Sequence, residues 1–231
     1  MHELRSMRPH RYSIFPLLAI LALGQQQAIA QRTTATFIGN CAFRIDLGDW
    51  TIYSDFPYQS GYSGYNTYTL PEGFNSAKGT ALITHAHLDH FDSTLFRVSG
   101  LELIAAHQAE AERASVLAKL EARGIYVYPL PTPHADMPHN SYIVAANGRR
   151  LYFTGDTEDP KPLLSAQGID VAFVTPWLIN AINKSGRTIG ARTVIMYHHT
   201  KGEFTGVDVK APCTNCRFII PEQGELIELF R

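Results

Sequence analysis

Thr84-His85-Ala86-His87-Leu88-Asp89-His90 packs three imidazoles and a carboxylate into six consecutive positions, directly after the apolar run Ala81-Leu82-Ile83. On a strand, side chains at i and i+2 share a face, so His85 and His87 are expected to point the same way off the strand end. Asp89 and His90 then fall in the following turn, where the chain can swing them toward a neighbouring point. That arrangement suits two adjacent metal ions, one for each half of the motif. Packing alone does not account for four ligand-type residues at one strand-to-loop junction, because burying unpaired polar groups is costly.

Further ligand-type residues stand where other strands are expected to end. His134 follows the run Ile125–Leu130, Asp156 sits in Thr154-Gly155-Asp156-Thr157, and His198-His199 close the run Arg192–Tyr197. His139 lies close behind His134 and competes with it as a ligand, as His199 does with His198. Imidazole with carboxylate suits zinc, manganese or iron(II). Two such ions about 3.5–4 Å apart can hold a hydroxide between them, with the pKa of water lowered toward about 7 from roughly 15.7. No Gly-x-Ser-x-Gly elbow occurs in the chain, so water rather than serine is the expected nucleophile.

The elements that must position these residues read as follows. Strands are expected over Thr34–Gly39, Cys41–Leu47 and Thr51–Phe56, then Ala81–His85, Glu102–Ala106 and Ile125–Leu130. Tyr142–Ala146 and Arg150–Thr154 predict a hairpin across Asn147-Gly148, a strong two-residue turn signal. Val171–Thr175 and Arg192–Tyr197 are strands separated by a segment that can hold a helix, and Phe218–Pro221 with Leu226–Phe230 predict a closing hairpin around Gly224. Helices are expected near Ser93–Val98 and over His107–Arg123. Strands that first meander and then alternate with helices predict two sheets packed face to face with helices outside.

Composition narrows the partners. The chain has 231 residues, 45% apolar and 18% charged, with a formal charge of −1. That is one globular core without a basic stripe, which disfavours nucleic acid and favours a small-molecule substrate. Arg5, Arg8 and Arg11, then an apolar stretch from Ile14 to Leu23 and Ala28-Ile29-Ala30, have the layout of a signal peptide cleaved after Ala30. The alternative, an uncleaved membrane anchor, is disfavoured by so short a run. Loss of residues 1–30, with three Arg and one Glu, takes the formal charge from −1 to −3. The mature protein is expected to be periplasmic or secreted, without stable membrane anchoring. An oxidising compartment favours a local Cys213–Cys216 bridge, while Cys41 reads as a buried thiol.

The chain resembles the metallo-β-lactamase superfamily, in its branch of small metal-dependent hydrolases with lactonase and phospholipase D-like relatives. The HxHxDH run at His85–His90 carries the resemblance, supported by the later His134, Gly155-Asp156 and His198. The resemblance spans the mature chain from Thr36-Phe37-Ile38-Gly39-Asn40 to the closing strand. It implies an α/β fold, an αββα sandwich formed by a single domain over residues 31–231, with the site at one edge of the sheets. By the family pattern His85, His87 and His134 hold one metal, Asp89, His90 and His198 the other, and Asp156 bridges both. Asp89 and Asp156 are then the catalytic carboxylates, Asp89 as a proton relay, and two divalent ions, zinc first, are the cofactors. Asp55 matches the family's aspartate after the third strand and is expected to hydrogen-bond a ligand imidazole.

An aspartate at 156 differs from the cysteine-bearing site of many lactam-cleaving members and points to esters, lactones or phosphodiesters. A β-lactam hydrolase and a non-catalytic metal-binding protein are the alternatives. Tyr58, Tyr62, Tyr65, Tyr68 and Phe74 lie in a Gly-rich loop that either lines a substrate pocket or packs on itself. Trp177 is expected near the site edge; Arg149, Arg150 and Lys184 read as a solvated face, and His107 as structural.

Overall fold

Alternation of side chains between the two faces organises the strands of both sheets. In the computed structural model, which describes residues 32–57 and 78–230, twelve strands and four helices follow the order expected for two packed sheets. The first sheet is built from β1 (Thr34–Gly39), β2 (Ala42–Asp46), β3 (Thr51–Ser54), β4 (Gly79–Ile83), β5 (Glu102–Ala105) and β12 (Leu226–Glu228), in the order β12-β1-β2-β3-β4-β5. The second contains β6 (Tyr126–Pro131), β7 (Asn140–Ala146), β8 (Arg149–Phe153), β9 (Val171–Val174), β10 (Thr193–Met196) and β11 (Arg217–Ile219), ordered β11-β10-β9-β8-β7-β6. The expectations for residues 1–30 and for the tyrosine loop lie outside the described residues. Gln31–Arg231 is one compact unit.

Between the sheets, Phe37, Phe43, Ile45, Ile52, Leu82 and Ile104 face Tyr142, Val144, Leu151, Phe153, Phe173 and Ile195 in one buried core. The neighbours of these residues point the other way. Tyr152, Ala172, Val174, Val194 and Met196 pack under α3 (Lys161–Ser165) and α4 (Pro176–Lys184), whose Leu163, Leu178, Ile179 and Ile182 are buried there. Tyr53, Ala81, Ile83 and Ala105 pack with Leu95 and Phe96 of α1 (Ser93–Ser99). Strands covered on both faces must be apolar throughout, as all four residues of Val171–Val174 are. The fourth helix, α2 (Glu110–Glu121), contacts both β5 and β6 and sends Leu120 into the inter-sheet core, closing the seam between the two edge strands. Tyr142 reaches across the sandwich, donating its hydroxyl to the Ile83 carbonyl at 2.7 Å.

The β7–β8 hairpin forms as expected, with Asn147 (φ 53°) and Gly148 (φ 71°) both left-handed, as a twist-matched two-residue turn requires. Pro129 and Pro131 fall within β6, which tolerates them because it lies at the sheet edge. Other expectations are corrected. β4 stops at Ile83, so His85 lies beyond the strand; the Asp55 carboxylate takes the Thr84 N–H at 2.8 Å and ends the ladder. The helix expected from His107 starts at Glu110, and the short α3 carried too little pattern to be read.

No closing hairpin forms around Gly224. β11 pairs parallel with β10, whereas β12 crosses to the other sheet and pairs antiparallel with β1. The crossing segment is pinned to β1 instead, with Gly224 N–H on the Phe37 carbonyl and Phe37 N–H on that of Glu225. Cys213 and Cys216 form the expected disulfide, and Cys41 is a buried free thiol.

Candidate metal centre

All the ligand-type residues singled out above emerge at one edge of the sandwich. Asp55 follows β3, the run Thr84–His90 follows β4, His134 and His139 lie between β6 and β7, Asp156 follows β8, and His198 follows β10. β3 runs parallel to β4, and β8 to β9 to β10, so these strand ends point the same way. The two sheets thus contribute to a single cluster.

One group joins His85, His87 and His134. His85 Nε2 and His87 Nδ1 lie 2.9 Å apart, and the His85 and His134 rings are 4.5 Å apart between centroids. His134 Nδ1 lies 3.1 Å from the Asp156 main-chain carbonyl. A carbonyl only accepts, so Nδ1 donates there and Nε2 is the ring nitrogen left for the cluster. That Nε2 is buried without a hydrogen-bond partner. The second group joins Asp89, His90 and His198. His90 Nε2 and His198 Nε2 are 3.2 Å apart, and Asp89 Oδ2 lies 3.6 Å from His198 Nε2.

Asp156 stands between the groups. Its Oδ2 is 3.2 Å from His90 Nε2 and 3.3 Å from His198 Nε2, while its Oδ1 is buried without a partner. Lone pairs converging on unpartnered buried atoms are costly unless a cation takes them up, so this donor set fits divalent metal.

Supporting residues fix the ring orientations. His90 Nδ1 lies 3.0 Å from Asp55 Oδ2, both side chains fully buried, so its N–H donates to the carboxylate and Nε2 is turned to the cluster. The Thr84 hydroxyl sits 3.0 Å from both Asp55 Oδ1 and His85 Nδ1. Behind Asp89, the Cys41 thiol donates to its main-chain carbonyl at 2.8 Å, with the Asn40 amide on the same oxygen. Cys41, Asp55 and His90 also lie close enough to hold an ion, but these hydrogen bonds already engage the thiol and the carboxylate. Asp55 (φ 55°) and His198 (φ 64°) have left-handed backbone, which costs a non-glycine residue about 1–3 kcal/mol and persists only where neighbours impose it. For His198 that neighbour is Asn40, whose carbonyl accepts the His198 N–H at 2.6 Å.

The two competing histidines, His139 and His199, differ from His134 and His198 in their surroundings, although His199 Nε2 is also buried without a partner. His139 accepts the Asp156 N–H on Nε2 at 3.0 Å, and its Nδ1 lies 2.8 Å from the Thr132 hydroxyl, so both ring nitrogens are engaged in hydrogen bonds. His199 packs between Phe37 and Phe204, with Nδ1 on the Thr200 carbonyl, outside the clustered groups. Trp177 meets the His198 ring edge-on at 4.8 Å. Arg149 pairs with Asp170, Arg150 binds the Gln167 carbonyl, and Lys184 is exposed, all away from the cluster. The supporting roles of Thr84, Thr132 and Asn40 were not read from sequence. Thr84 alone gave a signal, standing immediately before the histidine run.

Without bound cations, charge is balanced by protons. Burial opposes the charge on His90, but the Asp156 carboxylate and other negative neighbours outweigh it and hold the imidazolium well above its ordinary range. Burial likewise opposes the His198 cation, and its hydrogen bond to Asp156 raises it nonetheless. Asp156 is held well below the usual carboxylate range, since His90 and His198 overcome its burial. His85 goes the other way: burial, then repulsion from His90, keeps it neutral.

The architecture recurs in solved structures at low identity. Igni18, a metallo hydrolase from the hyperthermophilic archaeon Ignicoccus hospitalis, matches with a TM-score of 0.60 at 18% identity, covering 84% of this chain and 97% of that one. YhfI from Bacillus subtilis, a metallo-β-lactamase fold protein, matches with a TM-score of 0.56 at 15% identity, covering 84% and 98%. The chain has the metallo-β-lactamase fold. An isothiocyanate hydrolase from Delia radicum gut bacteria shares that fold, with a TM-score of 0.57 at 13% identity over 84% and 98% of the two chains. No protein-family model and no curated protein matches the sequence.

Proposed function

We propose that this protein is a dinuclear metal-dependent hydrolase acting on a small ester, lactone or phosphodiester. One observation carries the reading. Seven ligand-type side chains from both sheets meet in two groups joined by Asp156, with His134 Nε2 and Asp156 Oδ1 buried and unpartnered. His85, His87 and His134 would hold one ion, Asp89, His90 and His198 the other, and Asp156 both. A pair of divalent ions, when bound, makes water nucleophilic near neutral pH and stabilises developing oxyanion charge. Zinc fits the all-imidazole and carboxylate set best, with manganese and iron(II) as the other choices.

This chain's own residues then do the following. Asp55 and the Asp156 carbonyl fix the His90 and His134 tautomers so that their lone pairs face inward. Asp89, with Oδ2 at the cluster and its main chain held by Cys41, can take a proton and return it to the leaving group. Trp177 walls the site beside His198. The signal-peptide layout of residues 1–30 is what supports reading the enzyme as exported, acting on a substrate outside the cytoplasm. Elemental analysis tests the reading together with a substrate panel of lactones, phosphodiesters, isothiocyanates and β-lactams, run with and without chelator. About two ions per chain and chelator-sensitive turnover are expected. Full metal occupancy without turnover would favour a non-catalytic metal protein, and turnover confined to β-lactams would favour a lactamase.

A further inference from the structure

The two histidines of the β6–β7 loop grip the main chain of one residue, Asp156, from its two sides. His134 Nδ1 takes the Asp156 carbonyl at 3.1 Å, and His139 Nε2 takes the Asp156 N–H at 3.0 Å. Because Nε2 accepts, the His139 proton lies on Nδ1 and is donated to Thr132 Oγ1 at 2.8 Å. Thr132 Oγ1 also accepts the Ser141 N–H, and its own hydrogen is left for Ser141 Oγ at 3.1 Å. Ser141 Oγ donates to the Thr154 carbonyl at 2.6 Å. The hydrogen bonds therefore form a chain that leaves the backbone at Asp156 and returns to it at Thr154. Gly155 lies between those ends with φ +61°, and its missing Cβ leaves the space that the His139 ring fills.

We propose that His139 is the positioning residue of the centre: it is no ligand, but fixes the Asp156 main chain so that the carboxylate is held among the clustered imidazoles, with Oδ2 on His90 and His198. The inference rests on Asp156 being a metal ligand, and it deepens that reading by assigning what aims the ligand. His139 is 4% exposed, so its ring is spent entirely on the two hydrogen bonds. Residues that orient metal ligands typically change affinity about 10–100-fold when removed.

Zinc affinity, measured by competition with a chromophoric chelator on the full chain, tests this without any substrate. His139→Ala is expected to bind zinc about 10–100-fold more weakly, with unchanged stoichiometry at saturating zinc. His139→Gln, whose amide can accept the Asp156 N–H and donate to Thr132, is expected to recover most of the loss. Loss of one ion per chain at saturation in both variants would make His139 a ligand and overturn the proposal. Unchanged affinity in His139→Ala, with only a lower Tm, would reduce it to packing and overturn it as well. If His139→Ala fails to fold, Thr132→Val removes the acceptor behind Nδ1 and is expected to weaken zinc in the same direction; unchanged affinity there counts against the proposal. Wild-type protein that binds no zinc would instead overturn the metal-centre reading itself, and zinc binding without turnover would overturn only the hydrolase reading.

Discussion

Asp55 Oδ2 and His90 Nδ1 lie 3.0 Å apart with both side chains fully buried, and the same carboxylate holds the Thr84 main-chain N–H at 2.8 Å. One aspartate therefore ends β4 and sets the tautomer of the histidine in the turn beyond it. Asp55→Asn keeps an acceptor for Thr84 but can present an amide N–H to His90, turning the ring proton onto Nε2. Zinc affinity is expected to fall about 10–100-fold with the fold retained. Asp55→Ala is expected to cost about 3 kcal/mol, because it strips a buried network of its acceptor. Chelator competition and urea unfolding check the two variants.

Asp156→Ala and His87→Ala remove a shared carboxylate and a partly exposed ring without touching the inter-sheet core. Each is expected to lower turnover by at least about 10²–10³-fold, the scale of losing a preorganised electrostatic group. Far-UV circular dichroism is expected to stay native. Wild-type turnover in both variants would exclude the mechanism.

Gly155→Ala tests the backbone rather than a side chain. A Cβ there would stand 2.9 Å from Thr84 Cβ, collide with the His139 ring and occupy a left-handed conformation at φ +61°. The expected loss is about 2 kcal/mol or more by urea unfolding. The Gly148→Ala variant, at a glycine with nothing within 4 Å of its Cβ position, carries only the conformational part.

In the metal-free protein the His139 ring is expected to withdraw its own contribution to stability in mild acid. Burial, followed by repulsion from His134, holds the His139 ring down to about 4 from an ordinary 6.5. Between those values the unfolded chain binds a proton that the native ring refuses. This contribution is thus complete above pH 6.5 and is lost as pH falls toward 4. The loss amounts to about 3 kcal/mol across the window. Urea titrations of chelated wild type and His139→Gln are expected to differ less at acid pH than at neutral pH.

The first cluster was legible because its members are contiguous: His85, His87, Asp89 and His90 declare themselves within six residues. The later residues were legible only as strand ends. Sequence could not separate His134 from His139, since both follow the same strand and part only in space, His134 joining His85 and His87 and His139 turning to Thr132. The sheets were readable from alternation, as in Phe43 and Ile45 or Leu151 and Phe153, which face one core at a period of two. Pairing was not. Arg217–Ile219 and Leu226–Glu228 are three-residue runs on either side of Gly224, and nothing local says that they join different sheets.

Tyr142 carries a consequence beyond its place in the core. It belongs to the second sheet, yet its hydroxyl is bound to the Ile83 carbonyl, two residues before His85. Four of the seven ligand-type side chains ride on one slab of the molecule and three on the other, so the spacing of the slabs is itself a coordinate of the proposed chemistry. A rivet at Tyr142 holds that coordinate constant, and any rearrangement that lets the layers slide would detune the site without altering a residue in it.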